Sequence, residues 1–138
     1  MRVTIDTNQL VRALMRLPEL ATFVMAWVSR RIVVVCSPPL LEEYQRILNT
    51  PGIAELIYPE LRRTFLTQLA VEMEMLNLPQ IPAICRDPAD DKVIATAVYG
   101  MVDYLITADE DLRTRSVAEL LRREGIRLTT IDEMVLLL

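Results

Sequence analysis

The chain has 138 residues, 52% of them apolar and 25% charged, which is enough for one hydrophobic core and excludes disorder, collagen and coiled-coil arrays. With 15 basic against 19 acidic residues the net charge is −4, which argues against a general affinity for polyanions. Histidine is absent, so Ser-His-Asp and Cys-His nucleophile pairs and imidazole-held zinc are excluded, and any acid-base or metal chemistry falls to carboxylates.

Val3 to Ile5 is a short β-branched run ending at Asp6, and Ile32 to Cys36 is a wholly apolar run ending at Ser37; both predict buried parallel strands. Helices are predicted from roughly Gln9 to Met15, Pro18 to Arg30 and Pro39 to Leu48, the last with Pro39 in its first turn and Ser37 near its cap. The second carries Leu20, Phe23, Val24, Trp27 and Val28 as a core-facing stripe. A longer helix is predicted from Pro59 to Leu76, with Leu61, Phe65, Leu66, Leu69, Met73 and Leu76 on one face. Asn77 to Pro82 then reads as a connector and Ile84-Cys85 as a weak strand. A helix from Asp91 to Tyr99, a strand from Tyr104 to Thr107, and a helix from Val117 to Glu124 ended by Gly125 follow. A strand from Ile126 to Thr129 and a helix from Ile131 to Leu138, whose apolar end is expected to pack on the sheet, close the chain. Strand followed by helix, four or five times over, predicts an α/β fold with a parallel sheet covered on both faces.

Cys36 and Cys85 have no metal-type spacing and read as buried or indifferent thiols. The longest stretch without charge, Met75 to Cys85, holds two prolines and is too short to span a membrane. The opening residues reach Arg2 and Asp6 without an apolar signal segment, so the expected location is cytoplasmic, away from any membrane.

Open parallel sheets bind ligands beyond the carboxyl ends of their strands, where the strand order reverses. Asp6 closes the first strand, while Asp109 follows the fourth by two residues, with Asp111 two further on. Asp91 opens a helix whose Val93, Ile94, Ala97 and Val98 face the sheet, beside Asp87 and Asp90. Glu43 lies in the first turns of the helix after the second strand, between Leu41 and Ile47. Each acid alone reads as a helix cap or a solvated side chain. Together they do not, because two carboxylates about 4 Å apart repel by about 4 kcal/mol at an effective dielectric of about 20. A shared cleft therefore calls for a cation. Hard divalent ions take oxygen ligands, and such a site hydrolyses phosphodiesters without histidine.

These residues resemble a known family. Ile5-Asp6-Thr7-Asn8 is similar to the opening of a PIN domain, the fold of VapC-type toxin nucleases, related to flap endonucleases. Ser37 to Tyr44 with Arg46-Ile47-Leu48 and Pro51 resembles the segment carrying that family's second acid, Arg86 to Ala95 the third, and Asp103 to Leu112 the fourth. Gly125 to Thr130 resembles its close, so the likeness runs in order along nearly the whole chain and is nearest to toxin components of toxin-antitoxin systems. The resemblance implies a single PIN-like domain over residues 1–138, a three-layer α/β/α fold with a sheet of about five strands. It implies Asp6, Glu43, Asp91 and Asp109 as catalytic and metal-binding carboxylates, with Asp111 as a further metal ligand. Thr107 would orient an active-site carboxylate or water, and Asn8 would help hold the first loop and contribute to substrate binding. Glu43 is preferred to Glu42 because the family's acid precedes a bulky apolar residue, here Tyr44, and Asp91 to Asp90 because it stands four residues before Ala95. Asp87 reads as a turn residue before Pro88.

Further implications are Mg²⁺ or Mn²⁺ as cofactor, RNA as substrate, a homodimer as the common assembly and a cognate antitoxin protein as partner. Arg12, Arg86 and Lys92, with Arg113 and Arg115, lie beside the acidic segments as candidates for a phosphate path. Tyr44, Tyr58 and Tyr99 are sparse candidates for base stacking. The rival expectation is a catalytically inactive PIN-like module that binds protein or RNA. A haloacid-dehalogenase-type phosphoryl-transfer enzyme wants a second aspartate where Asn8 stands, and a signalling receiver domain wants an acidic pair at the first strand; neither pattern is met.

Overall fold

The computed structural model describes residues 1–81, 83, 85 and 87–138, without the side chains of Leu17 and Glu19. The apolar runs form β1 (Arg2–Ile5) and β2 (Val33–Cys36), each buried along most of its length because both faces of a parallel sheet are covered. With β3 (Glu74–Met75), β4 (Tyr104–Ile106) and β5 (Arg127–Thr129) they make one parallel sheet in the order β3-β2-β1-β4-β5. The strand order reverses between β1 and β4, and the carboxyl ends of those two strands open side by side.

Helices α1 (Thr7–Met15) and α2 (Leu17–Val28) lead from β1 to β2. α3 (Pro38–Leu48), α4 (Pro51–Ala54), α5 (Pro59–Thr67) and a 3-10 turn at Leu69–Glu72 lead to β3. A second 3-10 turn, Pro88–Asp90, runs straight into α6 (Asp91–Tyr99), and a third, Glu110–Arg113, precedes α7 (Arg115–Arg123). The chain ends with α8 (Ile131–Leu136). This is the expected three-layer α/β/α arrangement, and no helix of the described residues is long and apolar enough to cross a membrane.

Two sequence expectations fail here. The helix predicted from Pro59 to Leu76 ends at Thr67, and the edge strand is Glu74–Met75, not the weak candidate at Ile84-Cys85, of which Ile84 lies outside the described residues. The outer edge of β2 carries backbone groups that need partners, and β3 supplies them, pairing Val35 with Glu74 and Cys36 with Met75 before Leu76 N–H donates to the Cys36 carbonyl at 3.0 Å. The apolar stripe survives the change of backbone, for Phe65 and Met73 are buried. In α2, Phe23 and Trp27 pack edge to face at 6.2 Å between ring centres, whereas Val28 is exposed.

Two details fix the helices that bear the acids. A Cβ on Gly100 would stand 2.6 Å from Val35 Cγ1 and 2.7 Å from the Thr96 carbonyl, so only glycine lets the end of α6 close on β2; Met101 then takes a left-handed φ of 50°. Ser37, the N-cap residue of α3, spends its hydroxyl on Thr96 at 2.7 Å and so ties the start of α3 to the middle of α6. At the other end of the chain, α8 docks on α1 and α2, with Gln9 Oε1 accepting the Ile131 amide at 2.7 Å and Arg12 and Arg16 meeting Asp132 at 2.9 and 3.0 Å. Ile131 and Met134 are buried while Leu136 and Leu137 face outward, so only part of that apolar end packs.

Candidate metal centre

The register that pairs Ile5 with Ile106 makes Asp6 and Thr107 leave the sheet as neighbours. Asp6 N–H donates to the Ile106 carbonyl at 2.8 Å, and the buried Thr107 hydroxyl donates to Asp6 Oδ2 at 2.8 Å. Thr107 Oγ1 also accepts from the Asp109 amide at 3.1 Å, and Asp109 Oδ1 accepts from the Asp111 amide at 2.9 Å, capping the 3-10 turn that follows. One chain of hydrogen bonds thus orders Asp6, Thr107, Asp109 and Asp111. Thr107, expected to orient an active-site carboxylate or water, thus stands in hydrogen-bond contact with the Asp6 carboxylate.

Glu43 reaches the same mouth from α3. The next residue, Tyr44, is fully buried and its hydroxyl donates to the Ile5 carbonyl, which pins α3 beneath the end of β1. Glu43 then accepts from the Thr7 hydroxyl and pairs with Lys92 Nζ at 3.0 Å and, at 3.9 Å, with Arg46. A cleft of about 230 Å³ lies between these elements, lined by Asp6, Thr7, Asn8, Glu43, Ile47, Asp87, Ala89, Asp90 and Asp109.

From the third segment Asp87 and Asp90 line that cleft, whereas the expected Asp91 is not among its lining residues. Asp91 is buried, and its Oδ1 accepts from the Cys85 amide at 2.6 Å. The spacing rule that selects Asp91 explains its fate. Residues four apart share a helix face, and Ala95 lies on the buried face of α6, so Asp91 is carried inward with it. Asp90 belongs to the preceding 3-10 turn, and one oxygen of Asp90, one of Asp109 and one of Asp111 lie within 4.8 Å of one another. Asp87 is the N-cap residue of that turn, accepting from the Ala89 amide at 3.0 Å as a turn residue before proline should.

The electrostatics of this grouping are strained in one direction. Partial burial, then repulsion from Asp109, Asp6, Asp87 and Asp111, pushes Asp90 up to about 6. Burial likewise raises Asp6 above the usual carboxylate range, opposed by the Thr107 hydrogen bond and aided by repulsion from Asp109 and Glu43. Asp90 Oδ2 is buried with no hydrogen-bond partner among the described residues. Such an orphaned acceptor costs roughly 1–3 kcal/mol or more when charged. A hard divalent cation would satisfy it, and a donor set of three carboxylates without sulfur or imidazole suits that class of ion.

The remaining expected residues fall as follows. Asn8 is exposed in the first turn of α1, which starts at Thr7, so it lines the rim of the cleft and no loop is left for it to hold. Arg12 is engaged by Asp132, Arg113 donates to the Thr107 carbonyl at 3.4 Å, and Arg115 pairs with Glu119 at 3.2 Å. Arg86 lies outside the described residues. Lys92 does not line the cleft itself but pairs with Glu43, which does. Tyr44 is core, and the exposed Tyr58 and Tyr99 are not among the residues lining the cleft. The sequence reading missed Thr7 and Arg46, whose roles depend on Glu43 meeting them across the fold.

A family model described as PIN domain matches residues 2–111, a span holding all the acids of the cleft and ending before α7, β5 and α8. No curated protein and no solved structure matches the chain.

Proposed function

Because the chain belongs to the PIN domain family, whose members are usually metal-dependent nucleases, we propose that it is a ribonuclease that hydrolyses RNA phosphodiester bonds with Mg²⁺ or Mn²⁺. The observation that carries the reading is the meeting of Asp90, Asp109 and Asp111 at the strand-order reversal, with Asp90 Oδ2 buried and unpartnered. Those three residues would hold the ion. When bound, it supplies a Lewis acid for the scissile phosphate and lowers the cost of deprotonating the attacking water.

The chain's own groups do the rest. Asp6, held at one oxygen by Thr107 and raised by burial, is placed to take the proton of the attacking water. Thr107 keeps Asp6 and Asp109 in fixed relation through its single hydroxyl. Lys92 and Arg46 bring positive charge to the rim on the Glu43 side, where a phosphate would approach an otherwise acidic cleft. By resemblance to the toxin branch, the reading extends to the toxin of a toxin-antitoxin pair, with a homodimer as the assembly and an antitoxin that covers the cleft.

The test is cleavage of single-stranded RNA by the purified protein in Mg²⁺ or Mn²⁺, alongside Asp90→Asn and Asp109→Asn. The expected result is cleavage abolished by EDTA and by either substitution. Equal cleavage by wild type and variants, or binding of RNA with no metal-dependent cleavage, overturns the reading, the latter in favour of a binding module.

A further inference from the structure

The edge of the sheet at β5 is open. β5 ends the strand order, and α7 carries the chain back to the amino end of the parallel sheet, the end opposite the acidic cleft. Arg127 N–H donates to the Asp103 carbonyl at 3.0 Å, and Thr107 N–H donates to the Thr129 carbonyl at 2.8 Å, so Arg127 and Thr129 turn their backbones toward β4. By the alternation of a ladder, Leu128 between them turns its N–H and carbonyl outward, where no further strand stands among the described residues. A groove of about 380 Å³ lies there, between Leu121 and Arg122 of α7 and the segment from Gly125 to Leu128. No residue of β4 or α8 lines it, which puts it on the outer side of β5. Leu121 and Ile126 are buried beside it. Arg122 and Arg127, which also line it, are exposed, and their side chains have no hydrogen-bond or ion-pair partner among the described residues. The surrounding stretch reverses the balance of the chain. Residues 113–127 hold five arginines against two glutamates, whereas the whole chain has 15 basic and 19 acidic residues. The PIN domain match ends at residue 111, so the groove lies wholly outside it.

We infer that the β5 edge docks an extended, acidic segment of a partner protein as an added strand, with its backbone on Leu128 and its carboxylates on Arg122 and Arg127. Three features select that occupant. An outward N–H and carbonyl on an edge strand match the backbone of another strand. Guanidinium groups take carboxylates in paired, charge-assisted hydrogen bonds, and Leu121 and Ile126 beside them call for apolar side chains in the same segment. No aromatic residue among those described lines the groove to stack a base, which disfavours RNA. A second copy is disfavoured too, because pairing β5 with β5 would set Arg127 against its own charge.

The test is fluorescence anisotropy with a short labelled peptide alternating glutamate and valine, titrated with the full chain. A glutamine-for-glutamate peptide and a backbone N-methylated peptide serve as comparisons, and hydrogen exchange is followed at the Leu128 amide. Saturable binding is expected for wild type and Arg123→Gln, and binding about tenfold weaker for Arg122→Gln, for Arg127→Gln and for the glutamine peptide. The N-methylated peptide is expected not to bind, and exchange at Leu128 is expected to slow in the complex. Thermal unfolding shows which variants are folded, and the three peptides on wild type decide if a variant is not. No binding by wild type, equal binding by folded Arg122→Gln and Arg127→Gln, equal binding of the N-methylated peptide, or unchanged exchange at Leu128 overturns the inference. Tighter binding of a single-stranded RNA, weakened by the same substitutions, overturns it in favour of RNA. Self-association of the protein alone, removed by Arg127→Gln, overturns it in favour of a second copy.

Discussion

At the scale of single residues, the neighbours Asp90 and Asp91 have opposite jobs. Asp90 is a repelled carboxylate facing the cleft, whereas Asp91 is a buried acceptor for the Cys85 amide. Asp90→Asn is expected to remove the Mn²⁺-induced rise in melting temperature and, in EDTA at pH 7, to leave stability unchanged or raised. Asp91→Ala is expected to lower stability by about 1–3 kcal/mol, read by urea unfolding, because it strands a backbone donor. The reverse pattern contradicts the assignment. The pH dependence has a definite sign. With Asp90 raised to about 6 from an ordinary 3.8, the folded protein holds that proton more tightly than the unfolded chain. This contribution to stability is fully present below pH 3.8 and is lost as pH rises through about 6. Metal-free protein is thus expected to carry a falling component in melting temperature across that window, absent in Asp90→Asn; equal slopes in the two proteins refute it. With Mn²⁺ present the sign reverses, because ion and proton compete for one carboxylate, so the metal-induced stabilisation grows over the same range.

At the scale of elements, the acids are held by contacts that lie beneath them. Tyr44→Phe deletes the donor to the Ile5 carbonyl that locks α3 under β1, and a loss of about 1–3 kcal/mol in urea unfolding is expected. Gly100→Ala forces a Cβ against Val35 and the Thr96 carbonyl, and overpacking of this kind costs about 1–3 kcal/mol. Since α6 carries the turn that aims Asp90, weaker Mn²⁺ binding is expected in Gly100→Ala; unchanged binding would show that the turn holds its place without α6. The same elements show what a sequence discloses. Asp6 and Asp109 are legible because each follows an apolar run whose end fixes the rim, and Thr107 through the family resemblance. Glu43 is legible because it stands between inward-facing neighbours on a helix. Asp90 is hidden because counting one helical turn back from Ala95 ends at Asp91, the first residue of α6, one residue short of the 3-10 turn that carries Asp90. β3 is hidden for a related reason: its two residues carry no strand pattern of their own and are made a strand by the unpaired edge of β2.

At the scale of the molecule, four separated segments become one site because the sheet reverses its strand order between β1 and β4. The chain's net charge of −4 then has a local meaning, since the cleft concentrates negative charge that folding alone leaves uncompensated at Asp90. Binding an ion to the folded state alone stabilises it by mass action, about 2.7 kcal/mol at an ion concentration near a hundred times Kd. The most direct measurement is an anomalous difference map from a crystal soaked in Mn²⁺. The account predicts a peak bonded to carboxylate oxygens of Asp90, Asp109 and Asp111, with Asp91 still turned toward Cys85. An empty cleft in fully soaked crystals, or a peak bonded to Asp91 in place of Asp90, would contradict it.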